Sequence, residues 1–167
     1  QKAGEIIPQV VSVLKEKRDG TERLFHEPAA CPECKSTVSK DGVYLRCHNP
    51  LCLSQAKRRI QYFASRHAMD IEGFGPALVE QLVDKGFLKD YADIYYLKFN
   101  DLANLERMGE KSSSNVMHAI EESKNRDLDR LICALGISNV GFHTAEVLAN
   151  HFDSLDTVAT ATQEALE

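Results

Sequence analysis

Four of the five cysteines fall in one short stretch, in the pattern Cys31-x2-Cys34-x12-Cys47-x4-Cys52. Two close pairs separated by a loop suit a tetrahedral Zn(II). Each pair sits on a tight turn, and the loop lets the pairs face each other. Thiolates bind metal as anions, so binding is expected to depend on pH and to couple to folding. With sulfur at all four positions no coordination site is left open for catalysis, so the knuckle is expected to be structural or to form a DNA-contacting surface. Two disulfides are the alternative; the spacing favours metal, and with it a reducing, intracellular setting. His48, directly after Cys47, is a weaker candidate ligand. Cys133 stands alone in "RLICALG" at apolar spacing and reads as a small core residue.

A second pattern repeats. "MDIEGFGPALVEQLV" (69–83), "LERMGEKSSSNVMHAI" (105–120) and "LGISNVGFHTAEVLA" (135–149) align on Gly75, Gly109 and Gly141, spaced 34 and 32 apart. Each glycine follows an apolar residue (Phe74, Met108, Val140) and precedes another by seven (Leu82, Val116, Leu148). This is helix–hairpin–helix spacing. The apolar residue plugs between two helices, and glycine permits a tight backbone and close approach to a ligand. The second helix then presents free N–H groups and its positive dipole end, where a phosphate oxygen fits. Such contacts read the backbone of duplex DNA and not its bases. The candidate DNA contacts are Gly73, Gly75, Arg107, Gly109, Lys111, Ser112, Asn139, Gly141 and Thr144, with His143 beside the last. Only the first hairpin has both glycines; Arg107 and Asn139 take the earlier position in the others. Asn tolerates left-handed backbone better than Arg does, so the second hairpin is expected to bend differently or to reach phosphate through Arg107 itself. A period near 33 also suits helical protein-binding repeats, which remain the rival reading.

The elements that must position these residues are mostly helical. "EIIPQVVSVL" is β-branched and interrupted by Pro8, an edge strand or strand start. "RDGTE" is a turn, "LFHEPAA" an extended linker, and "VYLRC" a strand inside the knuckle. From Lys57 the texture is helical, with Ile60, Phe63, Ala64 and Ala68 at helical spacing and Gly75-Pro76 and Gly86 bounding the next helix. "YADIYYL", "DLANL", "SSSNVMHAIEESK", "DLDRLICALG" and "HTAEVLANHF" continue as short helices. The expected fold is mainly α with a small β part: a zinc finger, then tandem helix–hairpin–helix units. No apolar run approaches the roughly 20 residues that span a bilayer. Residues 1–60 carry 11 Lys+Arg against 7 Asp+Glu, and residues 61–167 carry 9 against 18. That balance argues against a broad electrostatic grip on nucleic acid and leaves room for a local one. "AKRRIQYFASRH" (56–67) is the densest basic stretch, either a phosphate track or a solvated helix face.

The combination resembles the C-terminal half of a bacterial NAD-dependent DNA ligase. "KAGEIIPQVV" resembles the end of that family's oligonucleotide-binding (OB) barrel. "CPEC…CHNPLC" resembles its zinc finger, and "FASRHAMDIEGFG", "LERMGEKSSSNV" and "ALGISNVG" its helix–hairpin–helix domain, in the same order. Arg107 and Asn139 depart from the idealised hairpin. The resemblance implies three parts: an OB-fold end and linker at 1–27, a zinc finger at 28–57, and a helix–hairpin–helix domain at 58–167 whose fourth hairpin would lie past the chain. It implies a parent enzyme that seals nicks in replication and repair using NAD and Mg(II), with adenylation and OB domains upstream. This chain would be its non-catalytic, monomeric, DNA-gripping part, cytoplasmic and nucleoid-associated, with no membrane partner. Another repair scaffold built on the same units is the closest alternative.

"KRDG" (17–20) has the Lys-x-Asp-Gly spelling of an adenylated lysine. A covalent lysine needs a walled pocket that binds the nucleotide and shifts its pKa. Only 16 residues precede Lys17 and the knuckle comes closely after it. Asp19-Gly20 is therefore read as a turn, and Lys17 is not expected to be a nucleophile.

Overall fold

The computed structural model describes residues 11–166. Its β part is one antiparallel hairpin, β1 (Val38–Asp41) paired with β2 (Tyr44–Cys47), closed by the pair Asp41↔Tyr44. The two-residue turn between them needs Gly42 at φ 61. The helices come next: α1 (Leu53–Ala64), α2 (Pro76–Asp84), a 3-10 turn at Tyr91–Tyr96, α3 (Phe99–Ala103), α4 (Glu110–Ser123), α5 (Leu128–Ala134), α6 (Phe142–His151), α7 (Leu155–Thr160) and α8 (Gln163–Leu166). The expected mainly α fold with a small β part is what forms.

Local chemistry sets the boundaries. Pro76 opens α2, where its missing N–H is no loss. Gly86, at φ 78, closes it: Phe87 N–H donates to Leu82 O (2.9 Å) and Gly86 N–H to Val83 O (3.0 Å), the paired bonds of a Schellman end. "YADIYYL" forms a 3-10 helix and not an α-helix; Asp90 and Asp93 lock its start, with Asp90 accepting from Ala92 N–H (3.0 Å) and Asp93 from Asp90 N–H (3.0 Å). Ala68 is buried as its spacing suggests, but it lies past the end of α1.

The expected strand at "EIIPQVVSVL" lies largely outside the described residues. Its last part, 11–14, is exposed and irregular and leads into a single 3-10 turn at Lys15–Lys17. Asp19 accepts from both Thr21 N–H (2.9 Å) and Thr21 Oγ1 (2.6 Å), so the expected turn is present with Gly20 at φ 85. Those bonds from Thr21 lower the Asp19 pKa.

Two apolar clusters organise the helices. The first joins Ile60, Phe63, Leu78, Leu82, Ile94, Leu102, Val116 and Ile120 from α1 to α4. Phe63 stacks on Tyr91 (4.8 Å between centroids) and meets Tyr95 edge-on. The second is smaller: Ile132, Cys133 and Ala145, flanked by Val140, Leu148 and Val158. Helix α5 serves both, because Ala134 and Leu131 face the first and Ile132 and Cys133 the second. Cys133 is thus the core residue its spacing suggests, with Tyr62 Oη 3.4 Å from its sulfur, a contact that raises the Tyr62 pKa.

Val79, Ser113 and Ala145 occupy the same place, four residues past each repeat glycine, and all three are fully buried. Ser113 Oγ has no hydrogen-bond partner there. An unpaired buried hydroxyl is unfavourable. Ser113→Ala is therefore expected to stabilise the chain by about 1 kcal/mol in urea unfolding. A loss of stability would mean that the hydroxyl has a partner in solution.

Candidate metal centre and nucleic-acid interface

The knuckle brings Cys31, Cys34, Cys47 and Cys52 together, with all four Sγ atoms within 4.8 Å of one another. Cys31–Cys52 is 4.0 Å and Cys34–Cys47 is 3.5 Å, and none is in a disulfide. Four sulfurs at roughly 2.3 Å from one ion would sit about 3.8 Å apart, so the donor set fits tetrahedral zinc. His48 is exposed and outside this group. The first pair is folded by Cys31 N–H donating to Ser36 O (2.8 Å) and Lys35 N–H to Cys31 O (3.0 Å), with Lys35 left-handed at φ 60. Asn49 ties the halves together: its Nδ2 donates to Ser36 Oγ (3.0 Å), and its backbone carbonyl accepts from Cys52 N–H (3.1 Å). Cys52 is also the N-cap of α1, so the last ligand and the first helix share a residue.

Hydrogen bonds prepare these sulfurs for a cation. Those from the Ser36 side chain and backbone, then Asn49, lower the Cys34 pKa to about 5. Cys47 is pushed up to about 12; a bond from Asn49 N–H pulls it down, but burial and the neighbouring Cys34 and Cys31 thiols outweigh that bond. Crowded thiols resist ionising together, and a dication removes the conflict.

The three hairpins share one backbone. Ile71 O accepts from Phe74 N–H (3.2 Å), Leu105 O from Met108 N–H (3.2 Å), and Ile137 O from Val140 N–H (3.0 Å). The third residue of each turn is left-handed: Gly73 at φ 81, Arg107 at 62 and Asn139 at 66. The fourth turns inward, Phe74 and Met108 onto the first cluster and Val140 onto the second. Then Gly75, Gly109 and Gly141, extended at φ −79, −104 and −88, cap α2, α4 and α6, and no side chain takes up the first-turn N–H groups of any of them. The expectation that the second hairpin bends differently is thus overturned. Arg107 takes the same left-handed turn, at a strain of roughly 1–2 kcal/mol for a residue with a Cβ.

The two glycine positions do different work. At Gly73 a Cβ would meet Val116 Cγ2 at 2.9 Å, and φ is positive, so packing and backbone both require glycine. At Gly75, Gly109 and Gly141 a Cβ would meet nothing within 4 Å, and the backbone suits any residue. What glycine leaves there is bare space before the helix start, where first-turn N–H groups stand, although in α2 Pro76 has none and Leu78 N–H bonds Gly75 O (3.1 Å). Lys111 and Ser112 stand exposed on the first turn of α4, as do His143 and Thr144 on α6. Gly73, Met108, Ser112 and Asn115 line one open groove of about 1090 Å3, so the first two hairpins border a common space.

A family profile described as "Helix-hairpin-helix motif" matches residues 130–167, which hold the third hairpin and the helices after it. Three proteins named DNA ligase match far more. That of Methylacidiphilum infernorum is 51% identical over 99% of this chain, that of Thermoanaerobacter sp. (strain X514) 52% over 96%, and that of Heliobacterium modesticaldum 53% over 100%. This chain is homologous to a segment of the DNA ligases. It spans about a quarter of the length of those relatives (24%, 25% and 25%). The stretch shared with the ligases takes in the cysteine knuckle and all three hairpins.

Several basic residues prove to be internal ties. Lys57 Nζ pairs with Asp84 (2.7 Å) and Glu80 (3.9 Å), joining α1 to α2, and the hydrogen bond to Asp84 raises its pKa. Arg59 donates to Pro50 O (2.9 Å), joining α1 to the knuckle. Arg130 donates to Ala68 O and Arg66 O (2.8 and 2.6 Å), and Arg126 to Met69 O and Asp70 (3.4 and 3.1 Å). These two arginines gather the carbonyls between α1 and the first hairpin. No periodicity announces them, because their partners lie some 60 residues earlier, at separations of 56 to 64.

Protons compete with metal for thiolates, so metal is expected to be held at neutral pH and released on acidification. The hydrogen bonds that lower the Cys34 pKa keep it anionic to lower pH than Cys47. Ser36→Ala removes the largest cause of that lowering. The pH midpoint of zinc release, followed with a chromogenic chelator, is expected to move upward.

Proposed function

We propose that this chain is the non-catalytic, duplex DNA-binding part of an NAD-dependent DNA ligase, gripping phosphates on either side of a nick. The observation that carries the reading is the threefold recurrence of an uncapped helix N-terminus behind a bare glycine. Each offers backbone N–H donors and a positive dipole end to one phosphate. Such donors recognise phosphate whatever the bases, so binding is sequence-independent. Homology to DNA ligases over nearly the whole chain supports DNA as the ligand.

Cys31, Cys34, Cys47 and Cys52 would hold one zinc ion, which supplies cross-linking and no reaction chemistry. The knuckle then sets the geometry between the segment before it and the helical domain. NAD and Mg(II) act in the parent enzyme, on adenylation and OB domains outside this chain. The whole enzyme is a monomer in the cytoplasm, at the nucleoid. Lys17 stands exposed on a single 3-10 turn. Incubation with NAD labelled in its AMP half is expected to leave this chain unlabelled; label lost in Lys17→Ala would reverse that assignment.

The decisive experiment is binding to nicked duplex across a salt series. Affinity is expected to ignore sequence and to fall as salt rises. Gly75→Val places a branched side chain before the α2 N-terminus, where its Cβ would meet no atom within 4 Å. It is expected to weaken binding about tenfold, the worth of one charge-assisted contact, while the urea midpoint stays put. A folded, metal-loaded chain with no DNA affinity at low salt would favour the protein-binding reading of the repeat.

A further inference from the structure

We propose that Gln81 is a positioning residue that holds the second hairpin in its phosphate-binding turn. Gln81 sits half-buried on α2, the second helix of the first hairpin unit. Its side-chain amide pairs with one backbone unit of the second hairpin in both directions. Gln81 Nε2 donates to Glu106 O (3.2 Å), and Glu106 N–H donates to Gln81 Oε1 (2.9 Å). Glu106 directly precedes Arg107, the left-handed residue of that turn.

The three left-handed positions differ in what they need. Gly73 enters that region freely, and Asn139 is among the residues that tolerate it. Arg107 does neither, and its turn is the one gripped from outside by a two-bond clamp. Among the described residues no side chain bonds the backbone of residues 71–74 or 137–140. Support is therefore present where the residue type is least suited to the turn. The clamp also crosses units: the helix whose N-terminus would face one phosphate fixes, from its second turn, the approach to the next N-terminus at Gly109. The two candidate phosphate sites would thereby be held in register with one another.

This role rests on the DNA-binding reading, and the test separates the two. Four chains are compared: the natural one, Gln81→Ala, Arg107→Gly, and the double substitution. Two quantities are read, affinity for nicked duplex and amide hydrogen exchange at Glu106 and Met108. In the natural background Gln81→Ala is expected to lower affinity about fivefold, the net worth of one to two hydrogen bonds, and to speed exchange at both amides. In the Arg107→Gly background the same substitution is expected to change affinity by less than about twofold, because glycine keeps the turn unaided. Gln81→Glu keeps the acceptor for Glu106 N–H and loses the donor, so it should fall between. Equal losses in both backgrounds would overturn the proposal, since Gln81 would then touch DNA or merely support the fold. Unchanged exchange at Met108 in Gln81→Ala would overturn it as well. A natural chain that binds no DNA would sink the functional reading, while the exchange data still decide whether Gln81 holds the turn.

Discussion

A left-handed residue three places before the start of each second helix is the constraint on which the helical part depends. It reverses the chain in one step, so that the next residue drops into the core and the glycine after it starts a helix from the surface. Phe74, Met108 and Val140 are thereby anchored, and the helix starts at 76, 110 and 142 result from that anchoring. Sequence spacing, turn handedness and exposure of the helix N-terminus are thus one geometric fact expressed three times. The residue at the left-handed position is free to vary only as far as its surroundings hold it there. Glycine needs no help, asparagine needs little, and arginine comes with a clamp.

The knuckle has a different organising force. Four sulfurs within 4.8 Å resist ionising together without a cation; hydrogen bonds from Ser36 and Asn49 lower Cys34, while the rise of Cys47, caused by burial and the Cys34 and Cys31 thiols, expresses that conflict. Metal binding would resolve it and, through Cys52, fix the first turn of α1. Arg59 adds a second tie from α1 to Pro50 in the knuckle. The β-hairpin between the ligand pairs has almost no apolar burial of its own, with Tyr44 and Val43 largely exposed. Its order would therefore come from a metal cross-link rather than from a core.

Much of this is legible in the sequence because the signals are local. The Cys-x2-Cys and Cys-x4-Cys pairs, the glycine register and the Gly-Pro and Gly86 helix ends each involve a few neighbouring residues, and each appears in the structure at the expected position. The second hairpin is misjudged when intrinsic preference is the only guide: Arg disfavours left-handed backbone, and the Gln81 clamp that outweighs this lies 25 residues earlier. "YADIYYL" reads as an α-helix because its apolar spacing suits either form; the Asp90–Asp93 box tightens it to 3-10. The basic run at 56–67 divides into ties and free charges only once its acidic and carbonyl partners are located in space.

That division bears on how an acidic chain could grip a polyanion. Lys57, Arg59, Arg126 and Arg130 are engaged with carboxylates and backbone carbonyls of the fold itself. Long side chains so engaged build the scaffold between α1, α2 and α5, and these four cations are held by the fold rather than free to reach a polyanion. Backbone N–H groups at helix starts are donors that carry no net charge, cannot swing away and lose no side-chain entropy on binding. A surface made from them would discriminate by geometry, accepting phosphates at the spacing the hairpins dictate. On the proposed reading the −5 net charge would then work in favour of selectivity, because weak general attraction would leave binding to depend on the hairpins engaging together.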